Sequence, residues 1–221
     1  FVADLAPDDR CHLNGLGMVL GRPKYVTCLG ATNSNEGWRN NKATGGVVID
    51  IETDEILARG LCMPHSPRFH ANRLWVLNSG EGGFGFIDMQ TGQYEPVAQL
   101  PGFTRGLCFR DEFAFIGLSQ VRETAIFSGI PIAEWPTEER WSGVAVVNWT
   151  TGETVGFMKF EQDVEEVFSV CSVDAEWPDL ITDDESLIAQ SYALPEESIP
   201  DVPGNFLPCR ATTTEWSIEM A

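Results

Sequence analysis

What this chain has least of is positive charge. Fourteen lysines and arginines stand against 33 aspartates and glutamates, for a net charge of −19. Nucleic acid and anionic membrane surfaces both call for a basic face, so the composition excludes them as main partners. Long apolar runs are missing as well, and none approaches the roughly 18 residues of a membrane span. The six cysteines (Cys11, Cys28, Cys62, Cys108, Cys171 and Cys209) form no CxxC pair. That removes the usual zinc-ribbon and thioredoxin-like motifs. Helical periodicity is nearly absent.

What is present suits a folded chain. Of 221 residues, 43% are hydrophobic and 21% charged, enough to bury a sizeable core. The acid is uneven. Residues 1–173 carry 22 acidic and 13 basic residues, whereas residues 174–221 carry 11 acidic residues and a single basic one, Arg210. Residues 174–221 also hold Pro178, Pro195, Pro200, Pro203 and Pro208. This divides the chain into 1–173 and an acidic, proline-containing segment, 174–221, expected to pack on the rest or on a partner. A short helix over Asp183–Tyr192 is the one regular element it suggests.

Residues 1–173 contain a repeat. Gly46-Val-Val-Ile-Asp50, Gly83-Phe-Gly-Phe-Ile-Asp88 and Gly143-Val-Ala-Val-Val-Asn148 are each a glycine, an apolar strand and an Asp or Asn. Thr53-Asp54, Thr91-Gly92 and Thr151-Gly152 follow. Asp and Asn start a turn by bonding their own backbone, and Gly or Asp accepts the left-handed position. The returning strands are Glu55–Leu61, Gln93–Leu100 and Glu153–Phe160. Before each hairpin lies another strand pair: Leu16–Leu20 with Tyr25–Leu29, Arg68–Phe69 with Leu74–Leu77, and Leu107–Phe109 with Phe113–Leu118. A fourth unit is expected to begin at Val167–Val173. Four-stranded antiparallel units at this spacing predict an all-β fold, a β-propeller of four-stranded blades. With about three blades and a further strand it is partial, or completed by another chain or segment, since propellers use about 4–8 blades.

Strand direction then locates a site. Strands A to D alternate, so the D-to-A and B-to-C connections share one face, here called the top. The D-to-A lead-ins hold His12 and Asn14, His65 and Arg68, Thr104 and Arg105, and Glu165 and Glu166. The two long B-to-C insertions are Ala31–Ala43, with Trp38, and Ser119–Arg140, with Arg122. A ligand site is therefore expected at the top-face channel mouth, with His12, Asn14, His65, Arg68, Arg105, Arg122 and Trp38 as contacts. His12 and His65 fall at what the strand boundaries make equivalent positions. With Glu165 and Glu166 they are candidates to hold a divalent metal. The same residues also fit hydrogen-bonded structural roles. Cys28, Cys62, Cys108 and Cys171 lie in strand-like runs and are expected to be buried thiols, and a Cys11–Cys209 bridge is disfavoured in a reducing compartment.

Cys11-His-Leu-Asn-Gly-Leu16, Met63-Pro-His-Ser-Pro-Arg68, Leu100-Pro-Gly-Phe-Thr-Arg-Gly-Leu107 and Val164-Glu-Glu-Val-Phe168 carry a resemblance. So do Gly37-Trp-Arg39 and Arg122-Glu-Thr124. Over about residues 5–173 the chain resembles an uncharacterised bacterial β-propeller-like family, a domain of unknown function. The resemblance implies that members extend further N-terminally, and it implies no established activity. Three functions remain in view. The first is a propeller binding a small molecule or metal at the channel mouth. The second is a metal-assisted hydrolase or lactonase-like enzyme. The third is an assembly module that joins another protein chain, or itself, through open blade edges. A cytoplasmic location is expected.

Overall fold

The computed structural model describes residues 2, 7–121 and 127–174, and the backbone of a strand at 216–220. The strands are β1 (Leu13–Val19), β2 (Arg22–Cys28), β3 (Gly46–Asp50), β4 (Glu55–Leu61), β5 (Pro64–His70) and β6 (Arg73–Asn78). They continue as β7 (Gly83–Ile87), β8 (Tyr94–Gln99), β9 (Phe103–Arg110), β10 (Phe113–Ser119), β11 (Gly143–Asn148), β12 (Thr154–Phe160) and β13 (Trp216–Met220). Three antiparallel sheets result, β1-β2-β3-β4, β5-β6-β7-β8 and β9-β10-β11-β12, the last extended by β13 on β12. The described helical turns are short 3-10 pieces. This is the expected all-β, propeller-like arrangement of four-stranded blades, and it is partial.

Turn chemistry sets each sheet as the sequence implies. The Asp88 carboxylate accepts the N–H groups of Gln90 and Thr91 at 2.7 and 3.2 Å. Asn148 accepts those of Thr150 and Thr151 at 3.0 and 3.2 Å. Gly92 and Gly152 take φ of 71° and 78°. Both are also required by packing: a Cβ on Gly92 would sit 2.5 Å from the Leu57 carbonyl of sheet one, and one on Gly152 2.5 Å from the Val97 carbonyl of sheet two. The same turn thus docks on the outer strand of the preceding blade twice.

The cores lie between sheets. Tyr25, Val48, Ala58 and Leu61 meet Leu74, Val76 and Ile87 between sheets one and two. Trp75, Leu77 and Phe84 meet Leu107, Ala114, Ile116, Leu118, Ala145 and Val147 between sheets two and three. β1 packs on β5 and β5 on β9, so the first strand of each sheet is the shared inner layer.

Two expectations change here. Residues 164–174 form no strand. They lie along the third sheet instead: the Ser119 hydroxyl bonds both the N–H and the carbonyl of Val167, the Cys108 sulfur accepts the N–H of Ser172, and Arg110 pairs with Asp174. A strand needs a ladder partner, and among the described residues this segment has none. Cys171, on this segment, is exposed and Cys108 on β9 is half-buried, whereas Cys28 and Cys62 are buried as expected. The Asp183–Tyr192 helix and Cys209 lie outside the described residues.

Candidate functional site

Pairing aligns the three inner strands residue by residue. Leu13 faces Cys28, Pro64 faces Asn78 and Phe103 faces Ser119. Asn14, His65 and Thr104 are therefore equivalents, while His12 corresponds to Met63. The inner strands begin three or four residues earlier than their apolar runs suggest, and their pairing puts the expected equivalence of His12 and His65 off by two residues. Each inner strand also carries a register shift near this point, the mark of a bulge.

Two of the expected channel-mouth residues, Asn14 and Arg68, tie these strands together. The Asn14 amide donates to the Pro64 carbonyl at 3.0 Å and accepts the Thr27 hydroxyl at 2.7 Å. Arg68 donates from Nε to the Leu107 carbonyl at 3.1 Å, and from Nη1 to Leu16 and Pro67 carbonyls at 3.3 and 2.9 Å. It thereby joins β1, β5 and β9. His65 is buried, its Nδ1 donating to the Met63 carbonyl at 2.9 Å with the Ser79 hydroxyl at 3.0 Å. Burial, then the nearby Arg105 charge, pushes its pKa down to about 3, so the ring is neutral. Arg105 lies over the Phe168 ring at 4.1 Å. Arg122 lies outside the described residues.

The proposed metal set does not come together. Among the described residues, no group of three or more His, Cys, Asp or Glu is placed to hold a metal ion. Glu165 and Glu166 are exposed, while His65 is buried. The reason is a cap. Leu29, Trp38, Cys62, Met63, Phe103, Val121, Ile130 and Ile132 form one buried apolar cluster, with Phe127 and Trp135 against it. The two long insertions thus pack on each other over the inner strands instead of lining an open mouth.

On the first sheet's side of this cap, a polar group survives. The Asp9 carboxylate accepts the indole N–H of buried Trp38 at 2.9 Å and lies 2.9 Å from Nδ1 of His12. Burial pushes the Asp9 pKa up, but hydrogen bonds from His12 and Trp38 outweigh it and hold the pKa below its ordinary value. His12 itself is half-exposed. The His12 ring and the Arg39 guanidinium each lie 4.8 Å from the Trp38 ring.

Beside Trp38 is a cavity of about 250 Å³, walled by Gly30, Thr32, Asn41, Thr44, Gly45 and Arg59 among others. Lys42 is close by. Desolvation, then the Arg39 charge, lowers its pKa. Of the expected contacts, His12 and Trp38 meet here, Asn14, His65 and Arg68 are bonded at the inner strands, and Arg105 lies against Phe168. Sequence reasoning missed Asp9 and Arg59. Asp9 stands three residues before His12, which is a usable signal, but nothing local announces Trp38 as its partner 29 residues on.

Solved structures with a similar course are remote. The computationally designed Ika4 protein is 16% identical, with a TM-score of 0.43, covering 73% of this chain and 80% of that one. The Pan2 WD40 domain of Neurospora crassa is 11% identical, with a TM-score of 0.38, covering 72% of this chain and 42% of that one. No curated protein matches the sequence. Among the described residues, no helix is long and apolar enough to cross a membrane. A family model does match, over residues 1–179, and it is described as a domain of unknown function. The chain belongs to that family, DUF4915.

Proposed function

We propose that the chain binds a small, negatively charged polar molecule in the top-face cavity beside Trp38. The observation that carries this reading is the cavity itself, with Arg59 and Trp38 in its wall. Its volume of about 250 Å³ lies below the 300–1,000 Å³ range of drug-sized sites, so the ligand is small. Arg59 in the wall answers the anion's charge locally, despite a net charge of −19 for the chain.

The test is ligand-detected NMR with inorganic phosphate, small dicarboxylates and neutral sugars of matched size. Binding of the anions, weakened about tenfold or more by Arg59→Ala and abolished by the cavity-filling Thr44→Phe, supports the reading. Binding that survives both variants, or no binding by any anion, overturns it.

A second reading, self-association, has its own observation. β1 exposes Leu13, Leu16 and Met18 by 59, 46 and 44%, and the non-strand segment 164–174 exposes Phe168 and Val173 by 73 and 71%. Apolar surface of this kind on the first and last blades fits contact with a second copy. Light scattering decides: a dimer dissociated by Leu16→Glu supports it, and a monomer at tens of micromolar removes it.

A further inference from the structure

We propose that Cys11 and Cys28 form a peroxide-responsive dithiol, which closes to a disulfide and reopens under a thiol reductant. Both cysteines are free, and their side chains are in hydrogen-bonding contact. The backbone holds them there. The Cys11 carbonyl accepts the N–H groups of Leu29 and Gly30 at 3.0 and 3.3 Å. That ties the lead-in of β1 to the residues that follow Cys28.

The second blade shows that the position favours this contact. Cys62 and Asn78 are the residues equivalent to Cys11 and Cys28. There the Asn78 side chain reaches across to the Cys62 N–H at 2.7 Å, and Gly80 donates to the Cys62 carbonyl at 2.9 Å. The side chain at the end of the second strand is thus aimed at the lead-in in both blades. In the first blade both residues are cysteine.

Exposure assigns the roles. Cys11 is half-buried and reachable by a small oxidant, whereas Cys28 is 1% exposed. Desolvation, then the Cys11 sulfur, pushes the Cys28 pKa up to about 12, so it waits as a thiol. The Cys11 thiolate attacks one oxygen of hydrogen peroxide. The O–O bond breaks, the departing hydroxide takes a proton and leaves as water, and Cys11 becomes a sulfenic acid. The Cys28 sulfur then attacks the Cys11 sulfur. The S–O bond breaks, and the hydroxide leaves with the Cys28 proton as a second water. Two thiols and one peroxide become one disulfide and two waters. Thiol–disulfide exchange with a reductant returns the pair. The bond would fix the lead-in that carries Asp9 and His12, next to the ligand cavity, but its formation does not depend on that cavity binding a ligand.

The experiment is graded hydrogen peroxide treatment of the folded protein, alkylation, tryptic cleavage and mass spectrometry. Trypsin cuts after Arg10, Lys24 and Arg39, so the two cysteines fall on separate peptides, 11–24 and 25–39. The expected result is a linked 11–24/25–39 peptide, formed before Cys62 is modified and lost on adding dithiothreitol. In Cys28→Ser the sulfenic acid on Cys11 persists and is trapped by dimedone. Cys11 oxidised to sulfinic or sulfonic acid without the linked peptide overturns the proposal. So does Cys11 linked only to Cys171 or Cys209, or a pair left untouched while Cys171 reacts. The wild-type mapping alone decides these outcomes, even if a variant folds poorly.

Discussion

Arg68→Met tests the central structural reading, that the inner-strand arginine is a staple and not a ligand contact. The substitution keeps an apolar stem but removes donors from the carbonyls of Leu107, Leu16 and Pro67. A hydrogen bond from a charged donor contributes about 1.5–3 kcal/mol, and less where solvent reaches it. The Leu16 bond is long, at 3.3 Å, and exposed, so it adds little. The total is then about 2–4 kcal/mol, or a fall in Tm of roughly 5–15 °C for a chain this size. Urea denaturation should show an earlier midpoint with an unchanged slope. Arg68→Lys should recover less than half, because an ammonium cannot reach separate carbonyls on three strands as a guanidinium does. A loss under about 0.5 kcal/mol, the range of ordinary surface changes, would refute the reasoning.

Other outcomes follow from the same geometry. His65 has a folded-state pKa of about 3 against an ordinary 6.5, so only the unfolded chain takes up a proton as pH falls below 6.5. Its contribution is whole above pH 6.5 and shrinks toward pH 3; between pH 6.5 and 5 the loss is about 2 kcal/mol. His65→Gln should flatten that part of the stability–pH curve, and equal slopes for both proteins would count against the buried neutral ring. Gly15→Ala would place a Cβ 2.4 Å from the Thr27 hydroxyl and 2.5 Å from the Pro67 ring, at the junction of the first two blades. It should cost about 1–3 kcal/mol by overpacking, measured by thermal unfolding. Asp9→Ala removes the acceptor for Trp38 Nε1 and the partner of His12, and should cost about 1 kcal/mol while shifting Trp38 emission. Loss of that shift in a Trp38→Phe background confirms the assignment.

The hairpins were legible because their cause is local. An Asp or Asn bonds its own backbone and a Gly accepts positive φ, as at Asp88–Gly92 and Asn148–Gly152. Repetition of that chemistry was enough to infer four-stranded units and the face on which their loops lie. The roles of the inner polar residues were not legible, because they depend on what another blade brings. Arg68 looked like a ligand contact until β1 and β9 presented carbonyls to it. His65 looked like a metal ligand until the insertions carrying Trp38 and Ile130 closed over it. Asp9, the local partner of His12, gained Trp38 as a second partner only when the first insertion folded back to it.

The sequence by itself determined the strands, their turns and the top face, since these rest on interactions a few residues apart. Only the tertiary structure decided which polar residues there are buried and used up by backbone and which remain beside a cavity. Burial and hydrogen-bond partners come from segments tens of residues away, and it is they that set a side chain's chemistry.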